Sequence, residues 1–320
     1  MQRYIAQRIL WGVPVLLMVS IITFTAMRLV PGGPFTSGGG GRPVPPDIRA
    51  NMERKYGLDK PAWQQYLSYM YRLIFHFDFG PSFRKPGRTV NQMIFGINFW
   101  KAPLRAPILV SAQVGLVSLL LAVGLGVPLG LISALKQNSW IDYIVMFFSM
   151  LGVSIPNFVL GIILIFVFGL WLGWLPIFGW GDTILQMVLP AVTLGTHGLA
   201  FIARLSRASM LEIIHQDYIR TARAKGLRER VVIIRHALKN SLIPVTTILG
   251  PMTAAWLTGS FMVEWVFSIG GIGKFFVTAV TDRDYTLIMG TILIYGAALV
   301  FFNLVVDIAY AFIDPRIRFE

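Results

Sequence analysis

Six stretches of this chain contain no Asp, Glu, Lys or Arg and are each long enough to cross a bilayer, which takes about 20 helical residues. They lie between Arg8 and Arg28, Arg105 and Lys136, Asp142 and Asp182, Asp182 and Arg204, Lys239 and Glu264, and Asp284 and Asp307. Backbone groups in hydrocarbon must be bonded internally, so these windows read as helices and not as open strands. The third is too long for one helix, and Trp171-Leu-Gly-Trp-Leu-Pro176 reads as its end at the interface, where Trp is favoured. The first has basic residues ahead of it, as a signal peptide has. Its apolar run is longer than an h-region and no small-residue cleavage site follows, so it reads as an uncleaved helix.

Composition agrees. Of 320 residues, 55% are hydrophobic and 13% charged, about half the charged fraction of a soluble domain. Length alone would suggest about two soluble domains, but the charges are segregated rather than spread. There is no cysteine, which excludes disulfides, thiolate nucleophiles and thiolate metal sites. The net charge of +13 points to an anionic membrane surface or an acidic protein partner, not to nucleic acid.

Lys and Arg in short loops set orientation. With the N-terminus inside, the inner segments hold Arg3, Arg8, Lys136, Arg316, Arg318 and a large set between the fourth and fifth windows. That set is Arg204, Arg207, Arg220, Arg223, Lys225, Arg228, Arg230, Arg235 and Lys239; the short outer loops hold only Lys274 and Arg283. The expected fold is therefore all-α and polytopic, with six transmembrane helices and both termini cytoplasmic.

Residues 1–30 form the first membrane helix with its cytoplasmic N-terminus, and 31–103 an extracytoplasmic region. That region opens on a breaker, Gly38 to Gly41 with Pro43, Pro45 and Pro46. Ile48, Met52, Tyr56, Tyr66, Tyr69, Met70 and Leu73 then recur at near-helical spacing, which predicts one or two short amphipathic helices at the outer interface. Residues 104–313 form a five-helix core that includes an inner loop, 204–239, and 314–320 a cytoplasmic tail.

The 204–239 loop is far longer than a turn requires. Asp217 is placed to cap a helix from Tyr218 onward. Ile219, Ala222 and Gly226 share one small apolar face, flanked by Arg220, Arg223 and Lys225. Gly226 stops the helix, since Gly tolerates a left-handed C-cap, and a new apolar run starts at Val231. The expectation is helix, Gly turn, helix, with the small face docking on a cytoplasmic partner. Topology anchoring and headgroup contact would explain the charges, but not the length or the Ala/Gly face.

Here the sequence resembles the coupling loop of bacterial ATP-binding-cassette importer permeases. Asp217-Tyr-Ile-Arg-Thr-Ala-Arg-Ala-Lys-Gly226-Leu227 is similar to the form in dipeptide and oligopeptide permeases. The broad pattern is Glu-Ala-Ala, three residues, Gly, nine residues, then Ile-x-Leu-Pro. Anchored on Gly226, it places Arg220, Thr221 and Ala222 first, and His236, Leu238 and Lys239 last; Ala222, Gly226 and Leu238 match. His236-Ala-Leu-Lys-Asn240 and Ile243-Pro244 fit the peptide branch. So do Arg28 to Gly32, Tyr56 to Pro61, Arg207 to Glu212, Arg283-Asp-Tyr285, Asn303 to Asp307 and Asp314-Pro-Arg316, in family order along nearly the whole chain. Gly270 stands where that branch often has Pro.

The resemblance implies the membrane subunit of a peptide importer of the bacterial inner membrane. It implies a second, related permease, two cytoplasmic ATPase subunits and an extracytoplasmic solute-binding protein as partners. ATP and Mg would sit on the ATPases, and this chain would bind no cofactor and catalyse nothing. The coupling residues it implies are Asp217, Tyr218, Arg220, Thr221, Ala222, Arg223, Ala224, Lys225, Gly226 and Leu227.

Other motifs fail on chemistry. Ser268-Ile-Gly-Gly-Ile-Gly-Lys-Phe275 lacks the Gly and the Ser/Thr that begin and end a phosphate-binding loop. Gly179-Trp-Gly-Asp182 has the letters of an intramembrane aspartyl protease, but the only candidate second carboxylate, Asp307, belongs to the opposite face. Asp307 itself reads as paired with an inner basic residue rather than as a proton relay. His197 reads as a packed or cavity-lining residue. Gly126-x-x-x-Gly130 and Gly169-x-x-x-Gly173 read as helix-packing faces. A self-contained carrier or channel is the alternative; such chains show repeated halves and polar midplane residues, and neither is evident.

Overall fold

The computed structural model describes residues 2–35 and 45–313. The hinge at 38–41, Pro43, Arg316, Arg318 and the rest of the tail lie outside the described residues. The first helix, α1 (Gln2–Leu29), carries no charge between Arg8 and Arg28 and packs chiefly on the helix Tyr285–Ile313. The region after it does form two short helices, α2 (Pro46–Lys55) and α3 (Ala62–His76), divided at Gly57, whose φ is +68°. One face of α3 turns inward: Tyr69 is buried, Met70 and Leu73 pack against the same cluster, and the Tyr66 hydroxyl lies 2.7 Å from that of Ser20 on α1. The other face leaves Trp63, Tyr71 and Phe75 exposed, as suits a membrane–water boundary. A third helix here, α4 (Val90–Phe95), starts at a capping box in which Thr89 and Gln92 satisfy each other's backbone amides.

The long helix α5 (Pro107–Leu135) fills the second charge-free window. Next come α6 (Trp140–Ser154) and α7 (Asn157–Leu164), the latter running on as a π turn through Ile165–Trp171. The third window is thus a broken pair, bent by 105° at Ile155 and Pro156. A proline clashes with a helical residue before it, and Ile155 is extended at φ −86°, ψ 121°. Each half is only about 22 Å long at 1.5 Å per residue, short of the roughly 30 Å hydrocarbon core.

α8 (Ile184–Ile214) packs along α5 more extensively than any other two helices among the described residues. Small residues permit it. A Cβ on Gly126 would stand 2.9 Å from the carbonyl oxygen of Leu199, and one on Gly130 would overlap that of Ala203. Gly126 and Gly130 are thus the packing face the sequence suggests. Gly169 and Gly173 are not: Gly169 faces Ile177, and Gly173 lies past the helix end at φ +64°. Gly130→Val is expected to separate α5 from α8 and destabilise the chain by about 1–3 kcal/mol, the range for overpacking. A lowered unfolding midpoint of the purified protein checks it, and wild-type behaviour would show that backbone shifts relieve the clash.

The remaining helices are α9 (Asp217–Ala224), α10 (Glu229–Val231), α11 (Leu238–Ser241), α12 (Ile243–Leu257), α13 (Phe261–Val266), α14 (Phe275–Thr281) and α15 (Tyr285–Ile313). A second π turn, Val232–Ala237, joins α10 to α11. The helices long and apolar enough to cross a membrane are α1, α5, α8 and α15, and two bent pairs, 140–171 and 229–266, raise the possible spans to six.

Buried clusters mark two ends. At one, Met27, Tyr69, Val90, Ile94, Phe275 and Leu287 pack together. At the other, Ala134, Met210, Ile219, Ala222, Val232 and Ala237 do. At this second end the Arg8 guanidinium bonds Asp307 at 3.0 and 3.1 Å, so Asp307 does have a basic partner.

Candidate functional site

The second end is built outward from α8. Its helix does not stop where the charge-free window closes at Arg204 but runs on to Ile214. The extension is clamped. Arg207 Nε and Nη2 each donate to the Asp142 carboxylate at 2.7 Å. The Ser133 hydroxyl and the Asn138 amide (3.0 Å) complete that carboxylate's bonds. Asp142 is 2% exposed and sits in the first turn of α6, where the helix dipole favours an anion. Four bonds to one carboxylate tie the ends of α5, α6 and α8 into a rigid base.

On that base sits α9. Its small apolar face points the opposite way from the sequence expectation. Ile219 and Ala222 are buried against Met210, Val232 and Ala237 of the same chain. Apolar area removed from water stabilises wherever it is buried, and the nearest cover was the chain's own α8 extension and π turn. Asp217, Tyr218, Arg220, Thr221, Arg223, Ala224, Lys225, Gly226 and Leu227 are all exposed. Asp217, Arg220, Thr221 and Ala224 lie diametrically across the helix from Ile219 and Ala222 by the 3.6-residue period, so α9 presents a polar, small-centred face outward. Asp217 is not the N-cap; Gln216 is, and Asp217 lies in the first turn, 3.6 Å from Arg220.

The turn after α9 is as expected. Gly226 has φ +75°, and its amide donates to the Arg223 carbonyl at 2.9 Å. A Cβ there would meet nothing within 4 Å, so only backbone strain opposes substitution. Gly226→Ala is expected to destabilise the turn by about 1–2 kcal/mol without blocking the outward face; amide exchange across 217–231 measures it, and unchanged protection would refute the strain.

Sequence reasoning missed the cross-brace. Arg223 donates to Glu229 at 2.7 and 3.1 Å, which holds its guanidinium still higher than usual in affinity for its proton. Asn240 donates to the Tyr218 hydroxyl at 2.9 Å. The six-residue spacing of Arg223 and Glu229 matches no helical pair, so periodicity has no signal for it. Asp142 did have one: Ser139, three residues ahead, is an N-cap.

The other candidates resolve into structure. The Gly-rich 268–275 segment closes around Glu264, which is 1% exposed and accepts from Ser111 at 2.6 Å. A Cβ on Gly273 would stand 2.8 Å from that carboxylate, so the glycines answer a close approach, not a phosphate. Nothing lies within 4 Å of a Cβ on Gly270. Asp182 is exposed and 3.6 Å from Arg105. His197, expected to be packed or to line a cavity, is instead exposed on α8.

Residues 126–319 match a family model described as binding-protein-dependent transport system inner membrane component, and residues 1–101 match the model of its N-terminal region. An oligopeptide transport system permease protein, OppB, of Salmonella typhimurium is 45% identical over 320 residues, all of both chains. OppB of Haemophilus influenzae is 43% identical over the same span. A dipeptide transport system permease protein, DppB, of Bacillus subtilis is 42% identical over 318 residues, covering 99% of this chain and 98% of that one.

Proposed function

We propose a function on one premise: the chain belongs to the family of binding-protein-dependent transport system inner membrane components. It is a multi-pass permease subunit of the bacterial inner membrane, part of an ATP-driven importer for peptides. Within that importer it forms half of the path, alongside a second, related permease. Two cytoplasmic ATPases supply the hydrolysis, holding ATP and Mg, and an extracytoplasmic binding protein delivers di- or oligopeptides. This chain hydrolyses nothing itself.

Counting each bent pair as one crossing gives six spans, an even number that leaves both termini on one side. The Arg8–Asp307 bridge supports that, since it joins the first and last helices at the α9 end. The basic residues of 204–239 support a cytoplasmic location for that end. On that reading the first helix is 1–30, the outer region 31–103, the core 104–313 and the cytoplasmic tail 314–320.

The observation that carries the coupling role is the α9 face. It is exposed, polar and centred on Ala224, and it stands on a base fixed by Asp142 and Arg207. Residues 217, 218, 220, 221 and 223–227 meet a groove on the ATPase, while Ala222 acts from beneath by seating the helix. ATP shifts the membrane helices because it favours one arrangement through differential contacts passed along this rigid lever.

The test is purification of the tagged chain from its host in mild detergent, followed by reconstitution. Recovery of a second permease and ATPase, with peptide uptake that requires ATP and binding protein, is the expected result. Recovery of the chain alone, transporting solute without ATP, would make it a self-contained carrier or channel.

A further inference from the structure

Away from α9, at the opposite end, the end of α1, the 56–60 turn, α3 and the start of α15 enclose a cavity of about 100 Å³. Its lining brings together three cations, Arg28, Lys60 and Arg72. None has a carboxylate within ion-pair distance among the described residues. Arg28 is steadied by neutral groups, the Phe24 carbonyl at 3.4 Å, the Gln65 side chain, the Phe24 ring face and, farther off, the Tyr285 ring. Two donors in the wall are unsatisfied: the hydroxyl of Tyr69, a residue 5% exposed, and Nε of Arg72. Asp78, the acidic group that acts on Tyr69, already accepts from the Gly80 amide. Buried donors without acceptors are rare in native proteins, and here they stand beside uncompensated positive charge. An oxyanion satisfies both.

A second cavity, of about 260 Å³, adjoins the first and shares Met27 and Tyr285 with it. Its other walls are mainly apolar, with Ala26, Val30, Val280 and Ile292 among them. Val30 and Val280 are more than half exposed, so this groove opens outward between the ends of α1 and α14 and the start of α15. A charged pocket adjoining an exposed apolar groove, at the ends of helices long and apolar enough to cross a membrane, matches one kind of molecule. We propose that the two together hold an anionic phospholipid. Its phosphate sits among Arg28, Lys60, Arg72 and the Tyr69 hydroxyl, and an acyl chain lies along the groove. Charge-assisted bonds from Arg and Lys to phosphate oxygens are strong, and three cations without a carboxylate favour an anionic over a zwitterionic headgroup. The lipid would hold α3 against α1 and α15 and so steady the membrane-surface region.

The test is native mass spectrometry of the full-length chain with its co-purifying subunits. The probes are phosphatidylglycerol, phosphatidylcholine of the same acyl chains, and inorganic phosphate. One phosphatidylglycerol should be retained about tenfold more than phosphatidylcholine, the ratio one charge-assisted bond supports, and phosphate should not displace it. Arg72→Gln, or Lys60→Gln on the exposed turn if the former misfolds, should erase that preference. Ala26→Trp should fill the groove and abolish retention of both lipids while the unfolding midpoint without lipid stays as in wild type. Equal retention of the two lipids by the wild type, or an unchanged preference in the charge variants, overturns the proposal. Displacement of phosphatidylglycerol by inorganic phosphate would make this a small-anion site and overturn it as well.

Discussion

Asp142→Ala is expected to be among the most damaging single substitutions in the chain, lowering its stability by about 3 kcal/mol, the low end for breaking a buried ion pair. The low end applies because Arg207 keeps 24% side-chain exposure and recovers some hydration. The loss arises less from the bonds removed than from the guanidinium left without a counter-ion between helices. The double variant Asp142→Ala, Arg207→Met should therefore recover much of it, since a paired apolar replacement leaves no orphaned charge. Glu229→Ala, which breaks an exposed pair, should stay within about 1 kcal/mol. Unfolding midpoints of the purified proteins decide the matter. If the single and double variants melt alike, the orphaned charge is not the source of the loss; if Asp142→Ala melts as wild type, the clamp is not what holds α6 to α8.

Ala224→Trp is expected to reduce ATP-dependent peptide uptake at least about tenfold, the effect of about 1.4 kcal/mol of lost docking. Ala224 is exposed and lies across α9 from the buried Ile219 and Ala222. The indole therefore meets nothing in this chain and should leave its folding unchanged. Coupled uptake should fall while the chain inserts and its unfolding midpoint holds. Ala222→Trp makes the control, because that side chain would drive into the Met210 and Val232 cluster and lower stability first. Normal uptake by Ala224→Trp would remove this face from the coupling contact.

The gap between those two alanines is where sequence reading ran out. Spacing shows that Ile219 and Ala222 share a side of α9, but no periodicity says whether that side meets the same chain or another. Burial by the chain's own Val232 and Ala237 depends on a π turn that has no clear signature. Likewise, the charge-free windows marked where apolar character ends, and α8 outlasts its window because Arg207 finds Asp142, sixty-five residues earlier. The third window reads in sequence as ending at Trp171 to Pro176, and that reading misses the break at Pro156 with its 105° bend. What was plain beforehand followed from local rules: the long helices from missing charge, the turn at Gly226 from glycine's tolerance of a left-handed C-cap, the two surface helices from their spacing, and the contact at Gly126 and Gly130 from size.

The pairing of α1 with α15 has a consequence for how the chain is made. During synthesis α1 enters the bilayer well before α15, the helix that covers it and carries the Asp307 that meets Arg8. Until then α1 must stand alone in lipid. A helix with one polar stripe would leave that stripe in hydrocarbon for the whole interval, whereas one that is apolar all round is at home there. Ile9, Leu10, Trp11 and Met18 remain exposed even after α15 arrives, so the side chains that serve the finished protein are the same ones that let its first helix wait.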